Sequence, residues 1–136
     1  MRDVIFRGKS VKTKEWVSGY YCNCSLPNGN QKETGHYIVE FPNKYHEIYT
    51  DTVGQYTGLR DKNGIKIFEG DIVKYGKQTR GTVRFGEYLF DCYGYYIEWT
   101  DRMVTEKDLY CWAEHRAIEV VGNIYDDPEL MEEVVG

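Results

Sequence analysis

Cys22 and Cys24, one residue apart, come nearest to a metal-ligand pair in this sequence, with His36 and His46 available to complete a zinc site. Thiolates and imidazoles are ligands that zinc accepts, and on a β-strand two side chains at this spacing face the same side. The spacing argues against the site, because paired zinc cysteines are usually separated by about two to four residues. Cys92 and Cys111 form no second pair. Small buried thiols are the simpler account, and no metal or other cofactor is expected.

Nucleophilic catalysis finds even less to work with. The serines are Ser10, Ser18 and Ser25, and none lies in a G-x-S-x-G elbow. His36, His46 and His115 have Glu40, Glu47 and Glu114 nearby in sequence, but adjacency in sequence is not catalytic geometry. No glycine-rich phosphate cradle occurs. The chain is therefore read as a non-enzyme with no assigned catalytic residues. His36, His46 and Glu40 are the residues an unrecognised enzyme would use.

Two surfaces remain as candidates for binding. In the first, Lys62, Lys66, Lys74, Lys77, Arg80 and Arg84, together with Arg60, mingle with Tyr56, Tyr75 and Phe85. Basic grooves with aromatic platforms are how small β-barrels hold single-stranded nucleic acid. Against this reading, residues 60–86 sum to +4 and residues 1–59 to +1, whereas residues 87–136 sum to −10. Such a charge repels phosphate within a Debye length of about 8 Å at physiological salt. A solvated strand face is favoured, and nucleic-acid binding stays as the alternative.

The second candidate is the tyrosine-rich stretch holding Tyr88, Phe90, Tyr93, Tyr95 and Tyr96. Five aromatics in nine residues are more than one face of a sheet hides, so these are candidate anchors of an interface, with ordinary strand packing as the competing account. The charge contrast between basic and acidic segments suits self-association. Complementary charge fixes register, and buried aromatics supply the affinity.

The elements that must carry these residues are mostly strands. Val4 to Phe6, Trp16 to Cys22 and Tyr37 to Phe41 are short apolar runs. The turn signals Pro27-Asn28-Gly29-Asn30 and Pro42-Asn43-Lys44 separate them, a meander by pattern. Further on, Asp61-Lys62-Asn63-Gly64 is another turn. Gly81, Val83 and Phe85 alternate with Arg80, Thr82 and Arg84, and Tyr95, Ile97 and Trp99 alternate with Tyr96, Glu98 and Thr100. That period of two marks half-buried strands. Thr105 to Asp108 either cap a short helix with Leu109, Trp112 and Ala113 on one face or belong to a loop. Ala117 to Tyr125 is a last strand with room for a bulge at Gly122. Asp127 as N-cap and Pro128 at the first position start a terminal helix running to about Val135.

The expected fold is mainly β: an antiparallel sandwich or SH3-like barrel with one or two short helices, the last at the C-terminus. At 136 residues, with 41% hydrophobic and 29% charged side chains, the chain is read as one domain. Its sub-units would be a meander over 1–50 and a barrel with its helix over 51–136. No run approaches the roughly 18 apolar residues that span a bilayer, and residues 1–9 lack the apolar core of a signal peptide. The expected compartment is the cytoplasm, where the cysteines stay reduced.

Three stretches resemble the YopX family of phage and prophage proteins. They are Ile5-Phe6-Arg7-Gly8-Lys9; Val53 to Gly64, read V-G-Q-Y-T-G-L-R-D-K-N-G, continuing through Ile67-Phe68-Glu69-Gly70-Asp71-Ile72-Val73; and Ile118 to Tyr125 with Pro128-Glu129-Leu130. The resemblance spans the chain, with 20–50 and 86–115 variable. It implies a phage-derived gene, a mostly β fold and self-association, and it brings no catalytic residues to transfer. Read physically, Gly54, Gly58, Gly64 and Gly70 of these motifs sit where tight turns or close backbone approaches require a missing Cβ, and turn architecture is favoured over ligand contact by the Gly54 to Gly64 loop. The expected function is a non-catalytic interaction module that forms a homo-oligomer, with a host or phage protein as a further partner and no membrane.

Overall fold

The computed structural model describes residues 5–28, 31–40 and 44–132, with the backbone alone described for 24–28 and 31–34. The strands form two antiparallel sheets, and the chain divides into two compact units, Met1–Tyr56 and Thr57–Gly136.

In the first unit the order is β4-β3-β2-β1-β5, built from β1 (Phe6–Lys9), β2 (Trp16–Asn28), β3 (Gln31–Glu40), β4 (Lys44–Glu47) and the start of β5 (Gly54–Arg60). β2 and β3 pair from Tyr20↔Val39 down to Asn28↔Gln31, so their connection falls at 29–30, inside the expected turn but outside the described residues. The second expected turn is likewise flanked by the Glu40↔Lys44 pair, and its residues 42–43 are outside the description. Tyr37, Ile38 and Ile48 are buried here. Gly19 allows the β2 backbone to approach β3, since a Cβ there would stand 2.3 Å from the Val39 carbonyl oxygen.

In the second unit the remainder of β5 pairs with β6 (Lys66–Phe68). A four-stranded sheet follows in the order β10-β7-β8-β9, from β7 (Asp71–Tyr75), β8 (Thr79–Tyr88), β9 (Cys92–Trp99) and β10 (Glu119–Asn123). The sheet is open, with β10 and β9 as its two ends, so the barrel expected over 51–136 does not close. Ile67, Val73, Val83, Ile97, Leu109 and Ile118 form the core, all completely buried. α1 (Leu109–Glu114) resolves the helix-or-loop choice: Asp108 caps it by accepting the Tyr110 N–H at 3.0 Å, and Leu109, Trp112 and Ala113 lie against the core. The pairing of β10 with β7 shifts between Val120 and Gly122, the bulge the glycine suggested.

Three expectations need correction. The terminal helix is a single 3-10 turn, Pro128–Met131, with Glu132 already extended. Asp127 does not cap it, because its carboxylate accepts the Asn123 N–H at 3.2 Å instead. Leu130 and Met131 are half-buried, and 133–136 lie outside the described residues. Gly54 is not at a turn but pairs within β5 opposite Arg7. The thiols of Cys22 and Cys111 are only half-buried, and Cys92 is exposed because it heads β9 at the outer end of the sheet.

The family-like motifs are largely backbone scaffolding. Asp61, nearly buried, accepts the Asn63 and Ile65 N–H groups at 2.9 Å each through Oδ1 and the Val120 N–H at 2.8 Å through Oδ2. One carboxylate thus shapes the Asn-Gly turn and ties it to the closing motif. Gly70, at φ +91°, sits against the Tyr125 ring and accepts the Ile124 N–H at 3.0 Å.

Candidate functional site

The β8–β9 hairpin leaves the core partway along its length. Val83 faces Ile97 in the interior, and above that pair come Phe85↔Tyr95, Glu87↔Tyr93 and Tyr88↔Cys92. Directly opposed residues share a face, so Phe85, Tyr93 and Tyr95 lie on the side that Val83 and Ile97 occupy lower down. Phe85 meets Tyr93 edge-on at 5.3 Å between centroids and Tyr95 at 4.8 Å. On the reverse face Tyr88 stacks on Tyr96 at 5.1 Å, beside an Arg84–Glu98 ion pair of 3.5 Å. The chain turns at Leu89, which holds φ +55°, and Phe90 at the tip is 96% exposed. Tyr93 is 73% exposed, and Leu89 and Phe85 about half.

Tyr88, Phe90, Tyr93, Tyr95 and Tyr96 are therefore gathered on one ribbon. Tyr95 is partly claimed by the core. Two members were not among the expected anchors. Phe85 reads as part of a half-buried strand and as one of the aromatics of the basic segment; Leu89 is a lone apolar residue whose only signal is its place between aromatics. The ribbon carries Arg84 against Glu87, Asp91 and Glu98, a charge that suits protein rather than phosphate. The Tyr88 phenol is held above its ordinary value, first by burial and then by the charges of Asp108, Cys92 and Glu106.

Lys74 and Arg80 are directly opposed and Arg84 lies on the same side of β8, so these three share one face, but it is not a free cationic surface. Lys62 and Lys74 converge on Glu119, at 3.5 and 3.3 Å. The Lys74 hydrogen bond, then the charge of Lys62, hold the Glu119 carboxyl below its usual range. Arg84 is engaged by Glu98, Lys66 is half-buried on β6, and Arg80 donates to the Leu130 carbonyl oxygen at 3.2 Å. Lys77 and Arg80 border an open cleft of about 340 Å³ whose walls also hold Asp101 and Glu132. Of the three intended stacking platforms, Tyr56 is buried, Tyr75 packs on Trp112 at 4.9 Å while staying partly exposed, and Phe85 is about half exposed but belongs to the aromatic ribbon.

The register of β2 and β3 separates the zinc candidates. Cys22 pairs with Tyr37 while His36 pairs with Asn23, so Cys22 and His36 lie on opposite faces. Cys24 pairs with Gly35, and its side chain is outside the description. His36, Glu40 and His46 do share a face, through the Ile38↔His46 pair. His36 Nδ1 is hydrogen-bonded to the Tyr21 hydroxyl, and His46 Nε2 lies 3.2 Å from Glu40 Oε1. His115 donates from Nδ1 to the Cys111 carbonyl oxygen at 2.8 Å. Among the described residues, no three His, Cys, Asp or Glu side chains converge where a metal ion would sit.

A family model described as YopX protein matches residues 5–132. The chain belongs to the YopX family. This YopX chain is also similar in fold to the crystal structure of protein EF1440 from Enterococcus faecalis. That likeness has a TM-score of 0.54 and 23% identity, and covers 97% of the YopX chain and 100% of the other. No curated protein matches the sequence. Among the described residues no helix is long and apolar enough to cross a membrane.

Proposed function

We propose that this YopX chain is a non-catalytic protein-interaction module of a phage or prophage, acting in the bacterial cytoplasm and associating with copies of itself through the outer end of the β8–β9 hairpin. The same surface would receive a host or phage protein. The observation that carries this reading is the exposed aromatic ribbon. Phe85, Leu89, Phe90 and Tyr93 leave on the order of 500 Å² open per copy, against the roughly 800 Å² per partner of a standard interface. Tyr88, Tyr95 and Tyr96 extend it on both faces. A two-stranded ribbon is marginal in water by itself, and a covering partner removes that weakness. The basic segment supports the nucleic-acid alternative less well, because several of its lysines and arginines are already engaged with carboxylates.

Light scattering over a wide range of concentration and salt tests the reading. The expected result is a mass that rises above the 16.0 kDa of one copy, and a variant with Phe85→Ser, Phe90→Ser and Tyr93→Ser that stays at that mass. A wild-type chain that remains a single copy under every condition would remove it.

A further inference from the structure

At the end of β8 away from the aromatic ribbon lies the open cleft of about 340 Å³, near the lower limit of the roughly 300–1,000 Å³ of ligand pockets. Its walls come from Lys77 and Arg80 at the start of β8, from Thr100 and Asp101 just after β9, and from Leu130 and Glu132 of the closing 3-10 turn and its cap. The Arg80 carbonyl oxygen accepts both the N–H and the hydroxyl of Thr100, each at 3.0 Å. Its guanidinium donates from Nη1 to the Leu130 carbonyl oxygen at 3.2 Å. One residue therefore ties the three walls together.

Arg80 is half-buried, yet among the described residues no carboxylate forms an ion pair with it. Its Nε is buried and hydrogen-bonds nothing. A guanidinium withdrawn from water is normally paired, and this one has a single neutral carbonyl. Lys77 at the rim is exposed and also makes no ion pair among the described residues. Asp101 accepts the Met103 N–H at 2.9 Å through Oδ1 and leaves Oδ2 without a partner among the described residues, and Glu132 is exposed. Two cations and two carboxylates thus line one cleft without closing on one another. A bare phosphate would meet Asp101 and Glu132 as repulsion, whereas a ligand carrying both signs is matched.

We propose that this cleft binds a peptide segment carrying one acidic and one basic side chain. The acidic carboxylate takes the Arg80 guanidinium, with Lys77 beside it, and the basic group takes Asp101 and Glu132. Leu130 offers an apolar wall to the stems of both side chains. Because the cleft is open, a passing chain can lower two side chains into it without being enclosed. A single copy holds every residue of the site, so the binding is independent of the self-association at the outer end of the hairpin.

Amide chemical shifts of the full chain test the site, followed during titration with a panel of capped tetrapeptides in which one glutamate and one lysine occupy every pair of positions. The expected result is shift changes at 77–80 and 100–101, with at least one peptide binding at about 1 mM or tighter. Replacing its glutamate by glutamine, or its lysine by norleucine, should weaken binding at least about tenfold. Silence across the panel overturns the proposal, as does undiminished binding of the singly charged peptides. Lys77→Glu and Asp101→Lys change exposed side chains, and each should weaken the best peptide at least about fivefold while urea unfolding stays unaltered. Arg80→Lys, which keeps the charge and loses the planar fork, should weaken it as well. Full affinity in any of the three variants overturns the proposal. Inorganic phosphate or a single-stranded oligonucleotide that moves the same amides at lower concentration than any peptide assigns the cleft to an anion and overturns it too. Shift changes confined to the outer end of β8 and β9 would place the peptides on the aromatic ribbon, with the same consequence.

Discussion

The lower and outer halves of the β8–β9 hairpin are the same two strands with the same alternation, yet they end in opposite environments. Val83 and Ile97 are completely buried, while Tyr93, two rungs higher on the same face, is 73% exposed. What differs is the cover. Leu109, Trp112 and Ala113 of α1 lie over the lower half, and above the Val83–Ile97 pair Tyr95 is the last residue to touch that core. Period-two alternation decides which side chains share a face. It does not decide whether that face is covered by the chain itself or by another molecule.

The comparison breaks if the two halves respond alike to truncation. Ile97→Ala should cost about 3 kcal/mol of folding stability in urea denaturation, through lost burial and a cavity. Tyr93→Ser in the same experiment at low concentration should cost less than about 1 kcal/mol. Equal losses would mean that the outer ribbon is core. Asp61→Ala comes next, at about 2 kcal/mol, since it strips three backbone N–H groups of one acceptor. Asp61→Asn should lose less, because one oxygen remains for the turn.

The smallest effect belongs to Glu119, on the surface of the lower half. Its folded value is depressed below 4.5 by Lys74 and Lys62, so its contribution is present above that pH and is lost as pH falls through the depressed value. The stability gap between wild type and Glu119→Gln should therefore be small at neutral pH and close in acid, as followed by thermal unfolding. A gap that widens in acid would show that the pairing has been misread.

Much of this fold was legible because local pattern and tertiary cover agree. The Val83 and Ile97 strands and the Gly122 bulge follow from periodicity and backbone freedom, whereas the pattern at 105–114 allowed a helix or a loop and the Asp108 cap decides for the helix. β4 was not legible. Lys44-Tyr45-His46-Glu47 has no apolar run, and it is a strand because β3 offers it an edge. The terminal helix failed for a similar reason, since Asp127 is a good cap by type but its carboxylate is taken by the Asn123 N–H. Within the candidate site, the density of tyrosines pointed to the ribbon. Phe85 reads as part of the basic segment rather than of the ribbon, and the engagement of Lys62 and Lys74 depended on Glu119, a residue distant in sequence.

Hydroxyl-radical footprinting of the wild-type chain, dilute and concentrated, tests most directly whether the outer half of the hairpin is a surface made to be covered. Phe90 and Tyr93 should oxidise readily when dilute and become protected when concentrated, with Ile97 protected in both. Phe90 and Tyr93 oxidising equally in both samples would contradict the account.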